Sequence, residues 1–415
     1  LLSLKSKIHP SEVIIPKLSR ARAKDAFAGM TEKQTIPIAK KDEPMKINTS
    51  FIQGAFFEIN ENVNQKKRFQ VEFFNKDTNR IETVLEIDNH SWAKASKSYL
   101  VNWKIIVRGL DHPFYYEYDF DCTGKRILVD LDTKLVGDTL AWMPYLERLS
   151  IEKQCTVVCS TFHNSLFKDQ YPNLEFVEPG STVHNLYAQY SLGFFRDNDK
   201  WDPYKHPENP FQQPLQKVAS DLLGLEYKEY KPRLALNPNV QKKKQVCIAI
   251  QGSMKTKNWN NPTGWQEVTD YLTQQGFKVL IVSKEENGFR DLQDPIGTER
   301  HPEGSLQDLI KVLEESQFFI GISSGLSWMA WAANLPTVII SGFTDSYVEP
   351  NSVHRIINRN VCHGCFGTHI LPKNSGDDWC PEHKGTDRHF ECSTSIKSTQ
   401  VIEKIDLILK MLPNT

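Results

Sequence analysis

Between residues 245 and 345 short apolar runs alternate with helical stretches, and this alternation restricts the fold more than any other feature. The run Gln245-Val246-Cys247-Ile248-Ala249-Ile250-Gln251 is followed by the turn Gly252-Ser253-Met254-Lys255-Thr256-Lys257-Asn258-Trp259. A helical stretch, Gly264 to Gln275, carries Trp265, Val268, Tyr271 and Leu272 at helical spacing. Phe277 to Val282 is a second apolar run, Leu306 to Leu313 a helix, Phe318 to Ile322 a strand, Ser323-Ser324-Gly325-Leu326 a turn, Ser327 to Ala333 a helix, and Thr337 to Ile340 a strand. Such alternation predicts βαβ units around a parallel sheet. Parallel sheets of this kind bind ligands beyond the carboxyl ends of their strands. Two of those ends carry small residues ahead of a helix, Gly252-Ser253 and Ser323-Ser324-Gly325, where N–H groups and hydroxyls suit phosphate. Lys255 and Lys257 add positive charge, so a diphosphate site is expected. The rival reading is two ordinary βα loops with surface lysines. Neither G-x-G-x-x-G nor G-x4-G-K-[ST] occurs in this stretch.

A chain of 415 residues is long enough for two or three domains. A formal net charge of −1 argues against a general nucleic-acid binder. No apolar run approaches the roughly 18–20 residues of a membrane span. Leu1-Leu2-Ser3-Leu4-Lys5 has no continuous apolar core after it, so no signal peptide is expected and the protein is expected in the cytoplasm. Cysteines there serve as metal ligands, catalysts or inert thiols more often than as disulfides.

Residues 1–50 have little periodicity and read as a mobile arm, with a short helix near Leu18 to Phe27. Residues 51–122 read as β-rich. Phe69 to Phe74 and Ile81 to Ile87 form a hairpin through Asn75-Lys76-Asp77-Thr78-Asn79-Arg80. Tyr99 to Val107 and Phe114 to Phe120 form a second pair, with Asp111 at its tip. Residues 123–240 are a first α/β domain, which begins at Lys125 to Asp130, and its linker, and the run Lys242-Lys243-Lys244 precedes the strand that opens the second. Asp138 lies at a strand-to-helix loop there, either as a cap or as a carboxylate facing the cleft between two α/β domains. Residues 241–360 are the second α/β domain. Glu285 and Glu286 follow its second strand.

Cys362, Cys365, Cys380 and Cys392 follow in the pattern C-x2-C-x14-C-x11-C. Two thiolates two residues apart can take adjacent corners of a tetrahedron, and four sulfurs suit zinc or iron. The residues between them include few apolar side chains, so a metal would shape the segment 361–393. Spacing alone favours zinc. His363, His369, His383 and His389 lie close in sequence. Cys122, Cys155, Cys159 and Cys247 sit in or beside strands and read as core thiols. Residues 394–415 close the chain as an amphipathic helix with Val401, Ile402, Ile405, Ile408, Leu409 and Leu412 on one face.

Two α/β domains around a cleft resemble the GT-B glycosyltransferase fold. Gly252 to Trp259 resembles the phosphate-binding segment of lipopolysaccharide heptosyltransferases of glycosyltransferase family 9, where a Lys precedes a Trp by two positions. Gly321-Ile322-Ser323-Ser324-Gly325-Leu326-Ser327-Trp328 resembles that family's Gly-x-Asp-Ser/Thr-Gly-Leu-Ser-His segment, with Ser323 in place of Asp and Trp328 in place of His. Gly137-Asp138 resembles its Gly-Asp motif, whose Asp is taken as the general base. The departures, the added β region and the four cysteines make the chain similar to the bacterial autotransporter heptosyltransferases. That resemblance implies transfer of heptose from ADP-heptose to serines of an autotransporter adhesin passenger, a bound iron with zinc as runner-up, and a large homo-oligomer, a dodecamer. Lys257 is then the expected cation on the leaving diphosphate, with Gly252, Ser253, Ser323, Ser324, Gly325 and Leu326 around it, and Glu285 or Glu286 could contact the adenosine. Two carboxylates compete as base. Asp111 is preferred over Asp138, because an added β region should carry the added specificity for a protein acceptor. The competing expectation is a non-catalytic sugar-nucleotide or protein-binding subunit of the same fold, since Ser323 and Trp328 alter a known site.

Overall fold

The computed structural model describes residues 13–14, 45–61, 65–198, 200–369 and 379–412. Three larger sheets organise these residues. The second half of the chain builds a six-stranded sheet, in the order Thr298–Arg300, Lys278–Ile281, Gln245–Ala249, Phe318–Ile322, Thr337–Ile340 and His354–Ile356. All its pairings are parallel. Val246, Ile248, Ile320, Val338 and Ile340 on its strands are buried on one face. That face is covered by the helices Gly264–Gln274 and Ser398–Met411, whose Val268, Leu272, Val401, Ile405 and Ile408 join the same cluster. The closing helix is therefore part of this domain's core.

The first half builds a seven-stranded sheet, in the order Leu174–Val177, Thr156–Ser160, Arg126–Leu131, Ala188–Leu192, Lys46–Ile52, Phe56–Asn60 and His90–Lys94. Its first five strands run parallel and the last two are antiparallel. The helix Val136–Lys153 packs on this sheet with Leu140, Trp142, Met143, Tyr145 and Leu146 buried. The third sheet is antiparallel, in the order Arg80–Asp88, Arg68–Asn75, Trp103–Gly109 and Tyr115–Asp119. Phe69, Val71 and Phe73 alternate inward on its second strand, and Trp103, Ile105 and Val107 on its third, as a pleat with one buried face requires. Asn75 shapes the hairpin turn, its side-chain oxygen accepting from the N–H of Asp77 at 3.0 Å and of Thr78 at 3.3 Å.

Two expected boundaries move. Lys46 to Ser50, read above as the end of a mobile arm, form most of the strand Lys46–Ile52, which pairs in parallel with Ala188–Leu192 and antiparallel with Phe56–Asn60. Residues 51–122 do not all form a separate region, because Phe56–Asn60 and His90–Lys94 extend the first α/β sheet. The pairing partner at the sheet edge decides this, and it lies about 140 residues away in the chain. Val13–Ile14 pair with Thr182–Val183. The expected helix near Leu18 to Phe27 lies outside the described residues, as does the middle of the cysteine segment at 370–378.

Candidate active site

The two halves meet where two helices begin. Val136–Lys153 starts after the strand Arg126–Leu131, and Gly325–Ala332 starts after the strand Phe318–Ile322. The helices pack on each other, and their first turns touch. A Cβ built on Gly325 would lie 2.6 Å from Val136 Cγ1 and 2.9 Å from the Gly137 nitrogen. A Cβ on Gly137 would lie 3.0 Å from the Gly325 Cα. Both positions need glycine for closeness, not for an unusual φ. Trp328, one turn into the second helix, is buried under this contact, its Cδ1 3.6 Å from where that Gly137 Cβ would be. That accounts for an indole where the related motif has His.

Each helix start presents N–H groups without intrahelical partners and the positive end of a dipole. Ser324 caps the second helix through its backbone alone, and its hydroxyl is buried without a hydrogen-bond partner among the described residues. Gly325 and Leu326 are the first helical residues, so the turn expected at 323–326 is half turn and half helix. Asp138 lies in the first turn of the other helix, and its Oδ2 accepts from the Thr133 hydroxyl at 3.1 Å.

Lys257 ends the short turn Lys255–Lys257. Burial pushes its ammonium below the usual lysine range, and the Asp138 carboxylate pulls it partly back up. The second α/β domain thus sends its lysine toward the first domain's carboxylate. Its Nζ also stands 5.9 Å above the Phe343 ring. Lys255 is engaged elsewhere, in an ion pair with Asp291 at 2.8 Å.

Two expected phosphate contacts are already committed. The Gly252 N–H donates to Asn258 Oδ1 at 2.8 Å, and the Ser323 hydroxyl donates to the Glu349 carboxylate. Ser253 is exposed on the same loop. Glu285 and Glu286 are held through their carbonyls, which accept from Arg300 Nη1 at 2.5 Å and from Gln251 Nε2 at 3.0 Å. Arg300, forked onto Asp294, and the buried Glu349–Arg355 pair behind Ser323 are additions that no motif in the sequence signals. Asp111 stands apart from this cluster in its contacts. It accepts from the Arg68 N–H at 3.3 Å and meets His112 Nδ1 at 2.8 Å, both within the antiparallel sheet and its connection. The preference for Asp111 rested on a loop position. The carboxylate whose charge raises the Lys257 pKa against burial is that of Asp138.

The cysteines behind this site are close to one another. Cys365, Cys380 and Cys392 line one small cavity with Thr256, Phe343 and Trp379. Burial, with the neighbouring thiols adding, pushes the Cys365 thiol up to about 11 and the Cys392 thiol up to about 12. Cys362 is shifted upward by burial and by Cys380. Among the described residues the group whose ligand atoms approach within 4.8 Å of one another is Cys362, His383 and Glu391, a mixed set and not four sulfurs.

Gly325→Ala places a methyl where Val136 and the Gly137 backbone stand. Overpacking of this kind costs about 1–3 kcal/mol. The variant should unfold at lower temperature and bind a nucleoside diphosphate more weakly, by thermal melting and calorimetry. Unchanged values of both would mean that the two helix starts separate freely.

The model of glycosyltransferase family 9 (heptosyltransferase) matches residues 199–366. The autotransporter heptosyltransferase BAHTCr of Citrobacter rodentium is 35% identical over 346 residues, covering 80% of this chain and 83% of that protein. The crystal structure of the iron-containing dodecameric glycosyltransferase TibC from enterotoxigenic E. coli superposes with a TM-score of 0.81 at 30% identity, covering 91% of this chain and 99% of that one. TibC in complex with ADP-D-beta-D-heptose superposes with a TM-score of 0.79 at 29% identity, covering 91% and 100%. No helix among the described residues is long and apolar enough to cross a membrane. With two α/β sheets that meet at Gly137 and Gly325, and relatives matched over four-fifths of its length, the chain belongs to the autotransporter heptosyltransferases, glycosyltransferases of family 9.

Proposed function

We propose that this enzyme moves heptose from ADP-heptose to serine hydroxyls of an autotransporter adhesin passenger. The observation that carries the reading is the meeting of Lys257, Asp138 and two helix starts in one cleft. A departing ADP develops negative charge on its diphosphate, and preorganised dipoles and a cation stabilise that charge. Lys257 faces the diphosphate, and the N–H groups of Gly325 and Leu326 with the Ser324 hydroxyl complete its cradle. The loop after Lys278–Ile281, with Glu285, Glu286 and Arg300, borders the nucleoside. The complex of TibC with ADP-D-beta-D-heptose supports this donor.

The acceptor serine needs a base. We assign it to Asp138, beside Lys257, in place of Asp111. Hydrogen bonding from His112 and from the Arg68 N–H holds the Asp111 carboxyl below its usual range, which weakens it as a base. Asp111 on its strand connection remains available to an acceptor protein as a recognition group.

The thiol segment fits a metal by the chemistry of its donors, since neighbouring thiols such as Cys362, Cys365 and Cys392, which burial holds above the usual thiol range, become thiolates readily only beside a cation. We read Cys362, Cys365, Cys380 and Cys392 as its ligands, with iron preferred from TibC and zinc as runner-up. A closed site of this kind cross-links its segment and leaves no position for substrate. The closeness of Cys362, His383 and Glu391 favours a second reading, a mixed ligand set. In this scheme the two α/β sheets are the two halves of the transferase, residues 123–240 with the strands Lys46–Ile52, Phe56–Asn60 and His90–Lys94 in the first, and residues 241–360 with the closing helix in the second. TibC's dodecamer is the basis for expecting a large homo-oligomer. Eight free thiols suit the reducing cytoplasm.

Lys257→Ala should weaken ADP binding by about 1.5–3 kcal/mol, roughly tenfold to a hundredfold in Kd. Because burial lowers the Lys257 pKa, the wild type should lose ADP affinity as pH rises before an ordinary lysine would titrate, and the alanine variant should lack that alkaline fall. Calorimetry across pH measures both, and equal affinities would take Lys257 out of the site.

Asp138→Asn should keep ADP binding and lose about 10²–10⁴ in single-turnover transfer to a co-expressed adhesin passenger. Asp111→Asn should cost less. The reverse order would return the base to Asp111. Wild type that binds ADP-heptose but never transfers it would favour the non-catalytic reading.

Purified protein should hold one metal ion per chain by elemental analysis. Cys380→Ser should lose it and melt at lower temperature, while His383→Ala should keep it. Metal retained in the first and lost in the second would establish the mixed set.

A further inference from the structure

Three of the four cysteines sit one residue from a contact that reaches the Lys257 loop. Thr256, between Lys255 and Lys257, is buried, and its hydroxyl donates to the carbonyl of Trp379, next to Cys380, at 3.1 Å. Asn260 Nδ2, three residues past Lys257, donates to the hydroxyl of Ser393, next to Cys392, at 2.9 Å. Phe366, next to Cys365, packs its ring 5.7 Å from that of Phe343, whose face lies under the Lys257 ammonium. The Phe343 ring also meets Trp379 at 6.1 Å. At Gly342 the backbones touch, since a Cβ there would lie 2.4 Å from the Cys392 carbonyl oxygen. The short Lys255–Lys257 turn is closed by the Lys257 N–H donating to the Met254 carbonyl and the Asn258 N–H donating to the Lys255 carbonyl, each at 3.0 Å, and the contacts to the cysteine segment seat that turn on its surroundings.

We propose that Thr256 and Phe343 are positioning residues that link the thiol cluster to the donor site, so that a metal ion on the cysteines and a nucleoside diphosphate at Lys257 strengthen each other's binding. This rests on the reading that the cysteines hold a metal and that Lys257 holds the diphosphate. The physical cause is ordering. A metal fixes the backbone around Cys380 and Cys392, and through Thr256, Asn260 and Phe343 that order extends to the turn bearing Lys257. A diphosphate that orders the same turn returns the effect, because coupling between two binding sites is reciprocal. Neither Thr256 nor Phe343 needs to touch substrate.

The test uses the full-length, metal-loaded protein, with ADP affinity by calorimetry and metal affinity by chelator competition with and without ADP. In the wild type, ADP should raise the metal affinity. Thr256→Val keeps the shape and removes the hydroxyl. It should retain one metal ion per chain, bind ADP roughly twofold to tenfold more weakly, as loss of one hydrogen bond does, and lose the ADP effect on the metal. Thr256→Ser should restore both. Phe343→Leu, which keeps an apolar filler, should weaken the linkage in the same direction and serves if Thr256→Val does not fold. The proposal fails if ADP leaves the wild-type metal affinity unchanged, or if Thr256→Val shows the wild-type linkage. A wild type without metal, or a Lys257→Ala variant with normal ADP affinity, overturns the underlying reading and the linkage with it.

Discussion

The contact between Gly137 and Gly325 is the one on which the cleft depends. Two helices from different sheets begin within van der Waals reach of each other, which only residues without side chains permit. The arrangement brings two positive dipole ends together with Lys257, and by itself that is unfavourable. Burial of Trp142, Met143, Trp328 and Met329 in one core offsets it. The remaining positive potential is what a diphosphate neutralises. The same geometry that holds the halves together therefore suits an anionic ligand, and the Asp138 carboxylate offsets part of the Lys257 charge.

Ser323 shows how a changed motif is compensated by the fold. The related segment has Asp at this position. Here the hydroxyl donates to Glu349, 26 residues further along the chain, and the Thr344 hydroxyl joins it at 2.9 Å. Arg355 completes the group, and burial lowers its guanidinium to about 10. A buried ion pair contributes little net stability, yet removing one partner is costly. The pair consequently fixes the loop ahead of Gly325 in one geometry, and the carboxylate reaches the loop from outside it.

The cysteine segment has a comparable role on the other side. It lies against both loops that approach the lysine, through Thr256, Asn260 and Gly342. With few apolar residues of its own, its described part is held through these contacts to the domain under it. The closing helix contributes here as well, since Trp259 Nε1 donates to the Ile396 carbonyl at 3.0 Å just ahead of that helix.

The parallel sheet of residues 245–345 was legible in the sequence because burial on both faces leaves continuous apolar runs, and the helices between them keep their own period. The closing helix was legible for a related reason: a repeating apolar stripe is a local pattern. What the sequence could not decide was everything set by a partner far away in the chain. Lys46–Ile52 looked like an arm because its strand is completed by Ala188–Leu192. Gly252 and Ser323 looked available because Asn258 and Glu349 are chosen by the folded loops. Asp111 and Asp138 were both carboxylates on connections, and spacing treats them alike. Local periodicity determined which segments are strands and helices, since it follows from which face is buried. The tertiary structure alone brought Asp138 near Lys257 and left Asp111 on the antiparallel sheet, because that depends on the docking of two sheets through a pair of glycines.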